Sequence, residues 1–295
     1  MAKLLFLIVF ISCTTLQAQD YPKLKLLSGY QTTTYYSTGA DAKAKRMAQQ
    51  LDNVMVFYLQ HLQFKPVVTL LILSQDDWGN FTKMPVYGMP HYTNSKTLIV
   101  AAEDNSYWTG MVPPADKMPK AVARLIKDTY TNKSGNQTIE PFFDLLAIHE
   151  LGHAYYNQDS LSSQRRWLTE LFCNILLHTY IAEKEPQYLP VLTAFPQMVV
   201  TTTNKTTLKY TTLQALETNY NDIGPNYLEN YGWYQCRWHV AAEKIYDATK
   251  LEGIKKLYVA LNAKNKKLDD KELAALLQTK VHTNIADVML KWDNE

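Results

Sequence analysis

His149, Glu150 and His153 stand in the pattern H-E-x-x-H, inside the run Ala147-Ile148-His149-Glu150-Leu151-Gly152-His153-Ala154-Tyr155. On a helix, side chains four residues apart leave from one face, one turn apart. Two imidazoles at that spacing can hold one Zn²⁺ at about 2.0–2.1 Å from each nitrogen. Glu150 follows the first histidine and cannot share the imidazoles' direction. It can still reach a water beside the ion, and in this pattern the glutamate is the general base. The helix that must carry these residues is also legible. Pro141 suits a first turn, where its missing N–H is not needed. Phe142, Phe143, Leu145, Leu146, Ile148, Leu151 and Ala154 make the segment apolar nearly all round, as on a buried helix. A buried helix carrying His, Glu and His needs something to compensate their polarity, and a bound ion would do so. The competing reading is a core helix with two hydrogen-bonded histidines.

A catalytic zinc needs a third protein ligand and an open position. The extended pattern H-E-x-x-H-x-x-G-x-x-H would place Gly and His where this chain has Tyr156 and Asp159, so that branch is disfavoured. Glu170 offers another. It follows a polar turn over 157–164 and lies in Trp167-Leu168-Thr169-Glu170-Leu171-Phe172-Cys173-Asn174, an otherwise apolar helical run. A carboxylate there should be paired or metal-bound. Asp159 and Glu183 remain as other third ligands.

With these residues the chain resembles the gluzincins, zinc peptidases whose ligands are two His and a Glu on a following helix. Trp167-Leu168-Thr169-Glu170 is similar to the W-L-x-E run of the aminopeptidase-N-like members. The nearest likeness is to the peptidase MA-like group of small gluzincin domains. It spans about 30–250, with its specific motifs confined to 149–174. It implies an α+β, thermolysin-like fold: a small N-terminal sheet-bearing lobe, then a mostly α-helical C-terminal lobe. The expected divisions are 19–140 for the sheet-bearing lobe with an insert, 141–185 for the zinc-binding helix pair and 186–295 for the helical lobe. Thermolysin-like members use an Asp four residues after the Glu to orient one ligand His. Asn174 stands there, and a neutral amide can still accept from the imidazole N–H. The resemblance also implies an oxyanion donor from a later helix, with Tyr231 first, then Tyr234 and His239. The aromatic run containing them would equally suit a core. The aminopeptidase motif G-x-M-E-N is absent (Gly88-Met89-Pro90-His91 does not match), so recognition of a free amino terminus is not implied. The strand nearest the zinc helix, taken as 97–102, is expected to be the sheet edge that holds an extended substrate.

The remaining chain sets the context. It is 46% hydrophobic and 20% charged with net charge +2, and it lacks a dense basic block beyond Lys264-Asn265-Lys266-Lys267, so nothing points to nucleic acid. Residues 1–18 read as a signal peptide: Lys3, an apolar stretch over 4–11, and Ala18 before a cleavage point. The product is then exported, to a periplasmic, extracellular or cell-surface location. Phe10-Ile11-Ser12-Cys13 offers a lipobox-like alternative with a lipid anchor at Cys13. No later run is long and apolar enough to span a bilayer. Strands are expected over 30–36, 66–73 and 97–102, with helices over 40–62, 117–128 and, with interruptions, from 187 to the end. Cys173 and Cys236 are expected as buried free thiols rather than a disulfide. Four N-x-S/T sequons, such as Asn204-Lys205-Thr206, are expected to carry no glycan.

The expected activity is peptide-bond hydrolysis by a zinc-bound water, with one Zn²⁺ on His149, His153 and Glu170, Glu150 as general base and Tyr231 as oxyanion donor. The rival is a non-catalytic exported zinc-containing module binding peptide or glycan. Glu150 separates the two, since a scaffold has no need of a base beside its ligands. Hydrolysis of a non-peptide carbonyl bond uses the same residues.

Overall fold

The computed structural model describes residues 21–263 and 266–294. The signal segment with Cys13, and Lys264-Asn265 of the basic run, lie outside them. The first part builds a five-stranded mixed sheet from β1 (Lys25–Leu27), β2 (Thr33–Tyr36), β3 (Thr69–Leu73), β4 (His91–Tyr92) and β5 (Thr97–Ala101). The strand order is β1-β2-β3-β5-β4. β2, β3 and β5 run parallel, whereas β1 and β4 pair antiparallel at the two edges. Two helices interleave: α1 (Asp41–Leu62) between β2 and β3, and α2 (Gln75–Phe81) after β3.

The central strands read Thr-Leu-Leu-Ile-Leu and Thr-Leu-Ile-Val-Ala because both their faces are covered. Strand alternation sends Leu70, Ile72, Leu98 and Val100 into the main core beneath the helices. Leu71, Leu73, Ile99 and Ala101 point to a smaller cluster with Tyr35, Trp78 and Tyr87. The expectation that 97–102 forms the sheet edge is corrected: β5 is an inner strand, and the edge is β4. A return over 93–96, closed where Asn94 Oδ1 accepts from the Lys96 and Thr97 amides at 2.9 Å, lays His91 opposite Ile99. A two-residue strand has no periodicity to read.

The rest is helical: α3 (Ser106–Thr109), α4 (Lys120–Tyr130), α5 (Glu140–Gln158), α6 (Arg166–Lys184), α7 (Leu189–Thr202), α8 (Leu213–Asn226), α9 (Leu228–Thr249), α10 (Leu251–Asn262), α11 (Asp270–Leu276) and α12 (Thr283–Leu290). The fold class is α+β, with a small mixed sheet and a mostly helical remainder. The helix expected over 117–128 begins three residues later, because Pro119 caps α4 after a separate turn over Ala115–Lys117. Among the described residues no helix is long and apolar enough to cross a membrane. Cys173 and Cys236 are buried free thiols.

α5 and α6 form the centre, with α1 and the sheet on one side and α9 on the other. The nearly buried Lys43 of α1 holds the start of α5 through Glu140 Oε1 at 2.6 Å and Asp144 Oδ1 at 2.8 Å. The Tyr58 hydroxyl donates to the Leu176 carbonyl on α6 at 2.6 Å. α6 lacks a side-chain cap of its own, and Glu217 of α8 supplies one by accepting from the Trp167 amide at 3.0 Å. The two central helices touch where Gly152 meets Cys173. A Cβ at Gly152 would lie 2.9 Å from the Cys173 Cα and 3.0 Å from its Sγ.

Two outcomes follow from this packing. Gly152→Ala forces backbone against backbone, so it should lower stability by about 1–3 kcal/mol, read as a reduced urea midpoint. Burial lowers the pKa of His178 on α6 to about 4, below its unfolded value of about 6.5. The unfolded chain therefore binds the extra proton between those values. Stability should fall as pH drops from about 6.5 towards 4, with this residue contributing about 1.4 kcal/mol per pH unit. Unfolding at pH 7, 6 and 5 checks this, because His178→Phe should flatten the slope by one proton.

Candidate metal centre

Helix geometry places His149 and His153 one turn apart on α5, with ring centroids 5.0 Å from each other. Glu170, on the second turn of α6, faces both. Its Oε2 lies 3.3 Å from His149 Nε2 and 3.6 Å from His153 Nε2. Two donors each about 2.0–2.2 Å from one tetrahedral ion stand roughly 3.3–3.6 Å apart. The carboxylate and both imidazoles therefore have the spacing of ligands that share an ion. Cys173, three residues after Glu170, forms a candidate triad with the two histidines. One nitrogen from each histidine and the Cys173 Sγ lie within 4.8 Å of one another.

Hydrogen bonds around these donors fix their orientation. Asn174 Nδ2 donates to the Glu170 carbonyl at 3.1 Å, which turns its Oδ1 towards His149 Nδ1, also at 3.1 Å. His149 Nδ1 must then be the protonated nitrogen, and Nε2 keeps its lone pair for the centre. The contact expected of Asn174, its amide oxygen at an imidazole nitrogen of His149, is present. Glu170 Oε1 accepts from the Tyr220 hydroxyl at 2.8 Å, and Oε2 accepts from Gln235 Nε2 at 2.8 Å.

Burial raises the Glu170 carboxyl, but the neighbouring His153 and His149 outweigh it and hold the group well below the usual carboxylate range. Burial opposes charge on His153, whereas Cys173 and Glu170 favour it and win, so its pKa is raised well above the usual imidazole value. The Cys173 thiol is pushed up to about 11, chiefly by burial. Glu170 and His153 are thus coupled, each favouring the charged form of the other.

Glu150 lies in the same cleft but has no hydrogen-bond partner among the described residues. Burial raises its pKa, partly offset by His153 and His149.

The expected donors on α9 separate. Tyr231 is half-buried beside Glu170, and its hydroxyl accepts from Gln235 Nε2 at 2.9 Å. Tyr234, the second choice, is not at the centre. Its hydroxyl donates to the Thr212 carbonyl at 2.7 Å and its ring stacks on Trp238 and Trp292. The His239 ring lies 6.3 Å from that of His149. The other third-ligand candidates are occupied elsewhere: Asp159 accepts from Tyr258 and Asn262, and Glu183 from Tyr246.

Four residues join the site that sequence reasoning missed. Gln235 sits one turn after Tyr231, a spacing that could have suggested it. Tyr220 lies in α8, which is kinked at Asn219 and gives no regular pattern. Cys173 reads as core. Tyr92 comes from the edge strand β4, and its hydroxyl is buried with no hydrogen-bond partner among the described residues. Burial first, then the charges of Glu150 and Cys173, push that phenol well above its usual value.

Comparison with protein-family models, curated proteins and solved structures finds no match to this chain.

Asn174→Ala removes the acceptor that orients His149. Metal affinity, measured by chelator competition, should fall by about 10–100-fold with the fold intact.

Proposed function

We propose that this chain is an exported zinc-dependent peptidase of the gluzincin type, in which His149, His153 and Glu170 hold one Zn²⁺. The observation that carries the reading is the unpartnered Glu150 beside a buried donor set of two imidazoles and a carboxylate. A structural site needs no such base. The donor chemistry fits: imidazole and carboxylate nitrogen and oxygen atoms, at the spacing of shared ligands, with Asn174 supporting one of them. When bound, Zn²⁺ acidifies water and polarises a carbonyl oxygen.

Glu150 takes a proton from the attacking water and passes it to the leaving amine as the C–N bond breaks. Burial suits it to both steps, because a carboxyl raised towards neutrality can accept and return a proton. Tyr231, which accepts from Gln235 and is in hydrogen-bonding contact with Tyr220, turns its hydroxyl proton to the oxyanion that develops on the carbonyl. Tyr220 anchors the far oxygen of Glu170. Tyr92, near Glu150, adds a buried hydroxyl with no hydrogen-bond partner among the described residues. The thermolysin-like lobe arrangement and export through residues 1–18 belong to the same proposal.

The test compares wild type with Glu150→Gln for zinc content and for cleavage of a broad peptide library. Both should carry one equivalent of zinc, and the variant's kcat/KM should fall by about 10²–10⁴-fold. Equal activity in the two would refute the role of Glu150. Zinc in both with cleavage by neither would favour the binding-module reading.

A further inference from the structure

We propose that Cys173 is a reserve metal donor: when the Glu170 carboxylate is drawn off, the Cys173 thiolate completes a His149–His153–Cys173 set around a thiophilic divalent ion. The inference rests on the metal-centre reading above and extends it to a residue that reading does not use.

Four observations converge on it. The Cys173 Sγ and one nitrogen from each histidine already lie within 4.8 Å of one another. Glu170 and Cys173 stand three residues apart on α6, so both face α5 from adjacent turns. Gly152 makes the approach close. Any side chain there would collide with the Cys173 backbone and Sγ, so the sulfur rests against α5 next to His153. Finally, Cys173 is fully buried, has no disulfide partner, and its sulfur is in hydrogen-bonding contact with His153.

Glu170 is equipped to let go. Tyr220 donates to its Oε1 and Gln235 to its Oε2, at 2.8 Å each. A carboxylate displaced from the ion therefore keeps two hydrogen bonds and is not stranded as a buried charge. The exchange balances. One metal–oxygen bond breaks, one metal–sulfur bond forms, and the thiol proton leaves to solvent, as it does whenever cysteine binds a metal. Imidazole with thiolate selects Zn²⁺, Co²⁺ or Cd²⁺ and discriminates against Mg²⁺, Ca²⁺ and Mn²⁺, which prefer oxygen.

The probe is Co²⁺, whose near-ultraviolet absorption gains an intense thiolate-to-metal band only when sulfur is bound. Co²⁺ is titrated into wild type, Glu170→Ala, Glu170→Gln and Glu170→Ala/Cys173→Ser, with circular dichroism confirming each fold. Wild type should bind Co²⁺ without the band. Glu170→Ala should bind it with the band, and the double variant should lose both the band and most of the affinity. Glu170→Gln, which preserves the shape of the site, takes the place of the alanine variant if that one does not fold. Co²⁺ bound by the single variant without the band, or not bound at all, would overturn the proposal while leaving the metal centre standing. The band already present in wild type would overturn the reserve role by making Cys173 a resident ligand. Failure of wild type to bind any Co²⁺ would remove the metal centre itself, and this inference with it.

Discussion

The Glu170 carboxylate has almost no access to solvent, and the arrangement around it is built to make that tolerable. Burying an ionised carboxylate without partners costs far more than a domain's net stability can absorb. Here two imidazoles, a phenol and an amide face its two oxygens. Those partners come from α5, α8 and α9, so the charge ties α6 to the helix before it and to a consecutive pair further along the chain. The helical half of the molecule is thus organised by an electrostatic requirement as much as by apolar burial.

That requirement sets tolerances elsewhere. The donors meet only if α5 and α6 lie close and in one register. The absence of a side chain at Gly152 permits the distance. Lys43, holding Glu140 and Asp144 near the start of α5, and Tyr58, bonded to the Leu176 carbonyl, fix both helices to α1 and so to the sheet. The parallel inner strands β3 and β5 supply an apolar support buried on both faces.

Much of this was legible from residue types and spacing. The H-E-x-x-H pattern fixed a helix and a face, and the apolar run around Glu170 marked a carboxylate that needed partners. Pro141 was read from a local rule, and Asn174 from the resemblance to thermolysin-like members. The long helices and the inner strands followed from periodicity and continuous apolar runs. What could not be read was whatever depends on chain reversal. Tyr92 reaches the centre through a two-residue strand, and Tyr220 through a kinked helix. Local sequence carries no record of which distant hydroxyl will be turned inward. Tyr234 shows the same gap from the other side: only tertiary packing decides which of two tyrosines in one helix stacks on tryptophan and which faces the carboxylate.

The sheet has one more consequence. Its outermost strands are stubs of three and two residues, both antiparallel to their neighbours, while the longer hydrophobic strands are enclosed. A foreign chain needs a run of free backbone amides and carbonyls to zip onto a sheet, and neither border offers one of useful length. The described borders are thus poor templates for edge-to-edge pairing, and Lys25 adds an exposed charge on β1. Short borders give the molecule colloidal protection at no expense to the core beneath.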